Sequence, residues 1–236
     1  MMRMKKSVCL FGILSLWMVM SVSAQSLKQQ EATMEDYLPL LQASGYQVYS
    51  FDISEFADES YLLTFKVKEY TDSIKGKEVG KFKVSNRSMI HEFPEESQRR
   101  ILAKGTAVDV EKGIYRLGTK LYVSFRPGNT DSTKVVHMGV DGMGESARML
   151  NLKGLKFPKS DKVDYCYESR PFILDKFEEG KFIPLVFFAS FWVDEKYGFL
   201  RFCGAQEISS TMESDYIENT PHFYVIGVEI QKMSAK

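Results

Sequence analysis

RPFILDKFEEGKFIPLVFFASFWVDEKYGFLRFCGA, residues 170–205, is the densest apolar stretch of the chain and decides its fold class. Its middle run, Phe182 to Trp192, carries Ile183, Leu185, Phe187 and Phe191 alternating with Val186, Phe188 and Trp192. A strand that is apolar on both sides has to be covered on both faces. Phe172 to Phe177 precedes it across Glu178-Glu179-Gly180-Lys181, a four-residue hairpin loop with glycine where a positive φ is wanted. After Asp194 to Tyr197, Gly198 leads into Phe199 to Cys203. These three runs read as a meander forming the core sheet, with Phe223 to Ile230 (FYVIGVEI) as its closing strand.

Outward from this centre the pattern changes to strict alternation. Leu63, Phe65 and Val67 alternate with Thr64, Lys66 and Lys68 within Tyr61 to Tyr70. Val79 to Val84 sets Phe82 and Val84 against Lys81 and Lys83, and Leu121, Val123 and Phe125 alternate with Tyr122, Ser124 and Arg126. Period two with one polar side marks antiparallel strands with one wet face. Turn signals separate the runs at Gly118-Thr119, Gly128-Asn129 and Asp141-Gly142. Helical signals are confined to two places. Thr33-Met-Glu-Asp36 reads as a capping box opening a short helix interrupted by Pro39 and stopped at Gly45. Pro94 to Lys104 reads as a second, with Gly105 beyond its end. The prediction is a mostly β chain, an antiparallel β-sandwich with one or two short helices, in a single domain over residues 25–236.

Residues 1–24 read differently. Arg3, Lys5 and Lys6 precede an uncharged apolar run from Val8 to Met20, which ends in Ser21-Val22-Ser23-Ala24. A basic start, an apolar centre and small residues at a cut site define a secretory signal, so cleavage is expected near Ala24 and the chain is expected in the periplasm or at the cell surface. A spanning helix needs about 20 predominantly apolar residues, and the serines cut this run short. Cys9 lies inside the apolar run rather than at the cut site, which argues against lipidation. In the mature chain the longest apolar run, Phe182 to Val193, is only strand length, so no transmembrane segment is expected there. The whole chain has 31 basic and 31 acidic residues, and losing three bases with the signal leaves a slight negative balance. Nothing in that balance points to nucleic acid. Cys166 and Cys203 remain. Export permits a disulfide between them, while two buried free thiols, which pack as small hydrophobes, are the slightly favoured reading.

Motifs for catalysis, metals or cofactors fail on inspection. His91-Glu92 opens like a zinc-protease motif, but Glu95 stands where the second histidine belongs and Pro94 interrupts the helix. His137 and His222 are far apart in sequence. Gly139-Val-Asp-Gly142-Met-Gly144 has the wrong glycine order for a dinucleotide fingerprint and reads as a hairpin turn. Asn129, Asp131, Asp141 and Glu145 are oxygen ligands without a calcium-loop spacing. The sequence therefore names no catalytic residue, no metal site and no cofactor.

Two sets of residues are candidates for binding. If Tyr61–Tyr70 pairs with Val79–Val84, Lys66, Lys68, Lys81 and Lys83 gather on one wet face, fit for an anionic surface or for guarding a sheet edge. Trp192 and Tyr197 bracket a loop, where aromatic rings stack on sugars or cap a core. Polar singletons form a third set: Asp175, Arg201 and Glu229. An acid among apolar neighbours suits glycoside cleavage when a second carboxylate stands about 5–9.5 Å away, and Glu168, Asp194 and Glu229 are the candidates. The opposing reading pairs Asp175 with Arg201.

The basic start Met4-Lys5-Lys6, the cleavage text Ser23-Ala24-Gln25 and a single aromatic-rich β domain resemble the small exported proteins of gut Bacteroidetes that are grouped as a domain of unknown function. That resemblance implies a periplasmic or surface location in a glycan-feeding bacterium and no activity for any residue. The function expected is an exported envelope binding or accessory module, for glycan or another envelope protein. A carboxylate-dependent saccharide hydrolase and an assembly protein recognising another protein are the alternatives.

Overall fold

The structure is a computed structural model and describes residues 30–71, 76–156, 163–174, 176–194, 196–202, 204, 206–212 and 215–233. The signal segment, Asp175 and Cys203 lie outside the described residues, and with them the cleavage site, the Asp175 proposals and the Cys166–Cys203 question.

In chain order the elements are α1 (Met34–Ala43), β1 (Gln47–Asp52), β2 (Tyr61–Thr71), β3 (Lys77–Ser85), β4 (Arg87–Met89), α2 (Glu95–Lys104), β5 (Ile114–Leu117), β6 (Lys120–Pro127), β7 (Thr133–Val140) and β8 (Gly144–Asn151). They continue with β9 (Leu155–Lys156), β10 (Val163–Asp164), β11 (Tyr167–Pro171), β12 (Phe182–Ser190), β13 (Trp192–Asp194), β14 (Phe199–Arg201), α3 (Asp215–Asn219) and β15 (His222–Lys232). Two antiparallel sheets dominate, a five-stranded one in the order β11-β12-β15-β2-β3 and a four-stranded one in the order β1-β6-β7-β8. They pack face to face. Leu63, Phe65, Val67, Val186, Phe188, Ile226 and Val228 of the first meet Leu121, Val123, Phe125, Val136, Met138 and Val140 of the second in one buried cluster. Phe125 stacks on Phe188 across the interface at 4.8 Å. The protein is mostly β and antiparallel, a β-sandwich with few short helices, as the alternation predicts.

The double-sided apolar character of β12 has the cause the sequence suggests. Its second face, with β15, packs Phe187, Ala189, Phe223 and Val225 against Phe172, Ile208, Phe202, Met212 and Ile217. The segment between β12 and β15 therefore folds back over the outer face of its own sheet. Both predicted helices form: Thr33 and Asp36 complete the capping box of α1, and α2 stops at Gly105 with φ +61°. Gly142, with φ +72°, makes the β7–β8 turn.

Three expectations about the meander are corrected. The described residues of Phe172 to Phe177 form no strand of the sheet. Phe172 makes a single bridge to Ile208, and Ile173, Leu174 and Phe177 are exposed. The strand beside β12 is β11, Tyr-Glu-Ser-Arg-Pro, which as an edge needs only one apolar side. Phe199 to Arg201 does not join the five-stranded sheet either; β14 pairs with β13 alone, in a separate two-stranded hairpin, while Phe202 beyond it packs on the outer face of that sheet. Finally β15 closes nothing: it lies at the centre, bonded on one side to β12 and on the other to β2. A strand covered on both faces belongs in the middle of its sheet, and the apolar text of β15 states this as plainly as that of β12.

Candidate functional site

The register of the five-stranded sheet places polar side chains together at one end of its inner face. Tyr167 lies opposite Ser190, His222 opposite Thr71, and Tyr224 opposite Glu69. Directly opposite residues point to the same side of an antiparallel pair. Counting back from Val228, Ile226 and Tyr224 by twos, His222 continues the inward-facing parity of β15, and Glu69 continues that of Leu63, Phe65 and Val67 on β2. Where apolar residues run out, these polar groups finish the layer.

They form one directional chain of hydrogen bonds. The Lys153 amide donates to the Tyr167 oxygen at 2.9 Å, and the Tyr167 hydroxyl bonds His222 Nδ1. His222 Nε2 lies 3.0 Å from Glu69 Oε1, which also accepts from the Tyr224 hydroxyl at 3.0 Å. Tyr224 stands 2.8 Å from the Asn151 carbonyl, so the chain ties the end of the four-stranded sheet to the five-stranded one. His222 is 1% exposed. Burial pushes the Glu69 carboxyl up, but the hydrogen bonds from His222 and Tyr224 and the charges of His222 and Lys77 outweigh it and leave it below its ordinary value. Burial, reinforced by the Glu69 charge, drives the Tyr224 phenol far above the usual range, so it stays a neutral donor.

Beside this network runs a groove in two parts. The inner part, about 230 Å³, is lined by Lys153, Gly154, Leu155, Ser190, Phe191, Pro221 and His222. The outer part, about 510 Å³, is lined by Leu155, Trp192, Val193, Asp194, Asn219 and Pro221. Leu155 and Pro221 line both, so the two parts are neighbours that share a wall. The two parts together reach from the half-buried Trp192 to His222, with Asp194 and Asn219 along the outer one. Asp194 is held firmly: Arg201 Nε bonds it at 2.6 Å, and it accepts the Lys196 and Tyr197 amides at 3.0 and 3.1 Å. A second cleft of about 510 Å³ opens at the same end, between the β6–β7 turn and the start of β11, with Asp131, Lys134, Tyr165 and Tyr167 on its walls.

Over residues 16–232 the sequence matches the family described as Domain of unknown function (DUF5041). The chain belongs to that family. No curated protein and no solved structure matches it.

In this DUF5041 chain the residues singled out in the sequence separate into three places. Trp192 lies in the groove. Tyr197 does not line it: it sits at the tip of the β13–β14 hairpin, 58% exposed, stacked on Phe199 at 5.8 Å with the Arg201 guanidinium 5.7 Å from its ring. Lys66, Lys68, Lys81 and Lys83 do share the outer face of β2 and β3, as the pairing Lys66 with Lys81 and Thr64 with Lys83 requires. Their charge is partly spent. Lys66, only 16% exposed, is bonded to Glu229 from β15 and lies 3.9 Å from Glu78. The Lys68 ammonium sits 3.8 Å above the Phe182 ring, where burial and the neighbouring Lys66 charge lower its pKa. Lys81 and Lys83 are exposed.

The carboxylates considered for glycoside cleavage are likewise engaged, Glu229 with Lys66, Asp194 with Arg201, and Glu168 with Gln47 and Arg170. Arg201 pairs with Asp194. Among the described residues no group of three or more His, Cys, Asp or Glu side chains is placed to hold a metal ion. His137, on the outer face of β7, accepts from Arg126 Nε at 3.1 Å. Sequence reasoning passed over the Glu69–His222–Tyr167 chain, although an acid at the parity of Leu63, Phe65 and Val67 was its visible signal.

Proposed function

We propose that this chain is an exported binding module of a bacterial cell envelope, and that it holds a neutral, hydroxyl-rich glycan segment in the groove between Trp192 and His222. The observation that carries the reading is the adjacency of the two parts across Leu155 and Pro221, with Trp192 at one end and the fixed Asp194 carboxylate beside it. Aromatic faces stack on the apolar faces of sugar rings, while carboxylate and amide groups hydrogen-bond the hydroxyls. A site of this kind combines an apolar lining with a few well-placed polar groups, which fix orientation. Asp194 suits the role because Arg201 and two backbone amides pre-position it, so little ordering remains to be done on binding. The basic signal-like start and the resemblance to exported Bacteroidetes proteins support the location.

A thermal-shift panel of neutral envelope and dietary oligosaccharides tests the proposal, because a ligand that binds only the native state raises the melting temperature. The expected result is a saturable rise with one glycan class that Trp192→Ala abolishes while the variant still melts cooperatively. No shift from any glycan, or a shift that survives Trp192→Ala, overturns it.

A further inference from the structure

The hydrogen-bond chain around His222 has a spare part. His222 Nε2 faces Glu69 and Nδ1 faces the Tyr167 hydroxyl, whose oxygen accepts from the Lys153 amide; with the ring neutral, Nε2–H donates to Glu69 and Nδ1 accepts from Tyr167. Directly across from Tyr167 in the β11–β12 register stands Ser190, 4% exposed, whose Oγ is buried and completes no hydrogen bond. A buried hydroxyl without a partner is costly and calls for an explanation. The Ser190 hydroxyl lies close enough to the Tyr167 phenol to lower its pKa in the way a donated hydrogen bond does, although the angles of a full hydrogen bond are not met.

We propose that Ser190 is the second acceptor of a proton switch centred on His222. When a solvent proton binds at Nδ1, the new N–H donates to the Tyr167 oxygen, and the Tyr167 hydroxyl turns from His222 to Ser190 Oγ. Tyr167 keeps its own proton throughout; one proton enters, and no bond other than N–H is made. The charged state gives the Ser190 hydroxyl the partner it otherwise lacks, and in it the imidazolium lies against the Glu69 carboxylate.

The groups facing His222 among the described residues fit this cycle. Glu69 on β2 supplies the compensating charge, with Lys77 on β3 acting on it from outside. Tyr167 on β11 and Tyr224 on β15 are phenols that burial holds well above their ordinary range, so neither competes as an acid. Lys153, after β8, contributes a backbone amide to Tyr167. Because His222 is among the residues that line the inner groove, a positive charge is added beside that groove as the pH falls.

The experiment is an NMR titration of the imidazole nitrogens in the intact protein without any ligand, with His222 assigned by His222→Gln. The outcome therefore does not depend on what the groove binds. Three results are expected. The neutral ring is the Nε2–H tautomer, the ring protonates while the amide spectrum remains that of the folded protein, and Ser190→Ala lowers its proton affinity about fivefold, the worth of one hydrogen bond. Should Ser190→Ala fail to fold, Ser190→Cys keeps a weak acceptor of similar size and is expected to give a smaller drop in the same direction. A ring that stays neutral until acid unfolding, or that titrates identically in wild type and the Ser190 variant, overturns the proposal.

Discussion

Replacing Phe188 by alanine, beside the same change at Phe199, separates the core of this fold from its decoration. Both phenylalanines belong to the stretch that decides the fold class, and by composition alone they are equivalent. The structure makes them unequal. Phe188 is 1% exposed, stacks on Phe125 of the opposite sheet at 4.8 Å and touches Tyr167 at 5.2 Å. Phe199 is 49% exposed on the β13–β14 hairpin. A buried phenylalanine hides on the order of 150 Å² or more, which at about 25 cal/mol per Å² is roughly 4 kcal/mol, within the ~3–5 kcal/mol seen when such side chains are cut to alanine. For a chain of this size that corresponds to a loss of about 6–20 °C in melting temperature. Phe199→Ala is expected to cost less than about 1 kcal/mol, because half its area is already wet. Urea unfolding followed by circular dichroism measures both, with an unchanged denaturant slope certifying that the comparison is one of stability. Equal losses for the two variants, or a loss below about 1 kcal/mol for Phe188→Ala, would refute the two-sheet core.

Three further outcomes are expected. Because Glu69 titrates below its ordinary value in the folded protein, its contribution is full above the unfolded-chain value of about 4.3 and fades as the pH drops through the folded value; Glu69→Gln should therefore lower the melting temperature clearly at pH 7 and little at pH 3. Gly227→Ala should destabilise by about 1–3 kcal/mol in urea, since a Cβ in this central strand would drive into the Ile183 carbonyl and the Phe182 ring. Asn86→Ala should cost about 2–4 kcal/mol by the same assay: the fully buried amide accepts from Tyr61 N–H and donates to the Phe56 and Glu59 carbonyls, all of which lose their partner.

Alternation along the chain was enough to find β2, β3, β6 and both α1 and α2, because each shows its amphipathic or capping pattern within its own text. What the text lacked was the neighbour relation. β11, Tyr-Glu-Ser-Arg-Pro, reads as loop because an edge strand needs only Tyr167 and Ser169 inward, and neither is strongly apolar. Phe199 to Cys203 reads as core because apolar content does not say which sheet, if any, a run joins. The lysine face was legible as a face but not as a charge, since Glu229 reaches Lys66 only through the β15–β2 pairing, across 163 residues of sequence. Trp192 and Tyr197, five residues apart, read as one loop edge; the tight Asp194-centred turn sends one to the groove and the other to the hairpin tip. The His222 chain was half legible. Parity alone places Glu69 inward, whereas its meeting with Tyr167 depends on the order β11-β12-β15-β2, which no local pattern encodes.

The groove itself is tested most directly by residue-resolved NMR. The labelled protein is titrated with each neutral oligosaccharide of the thermal-shift panel, and the perturbed amides are mapped. The expected result is saturable shifts confined to Leu155, Ser190 to Asp194 and Asn219 to His222, lost in Trp192→Ala. Shifts centred on the lysine face or the Tyr197–Phe199 hairpin tip, or none with any glycan, would contradict the account.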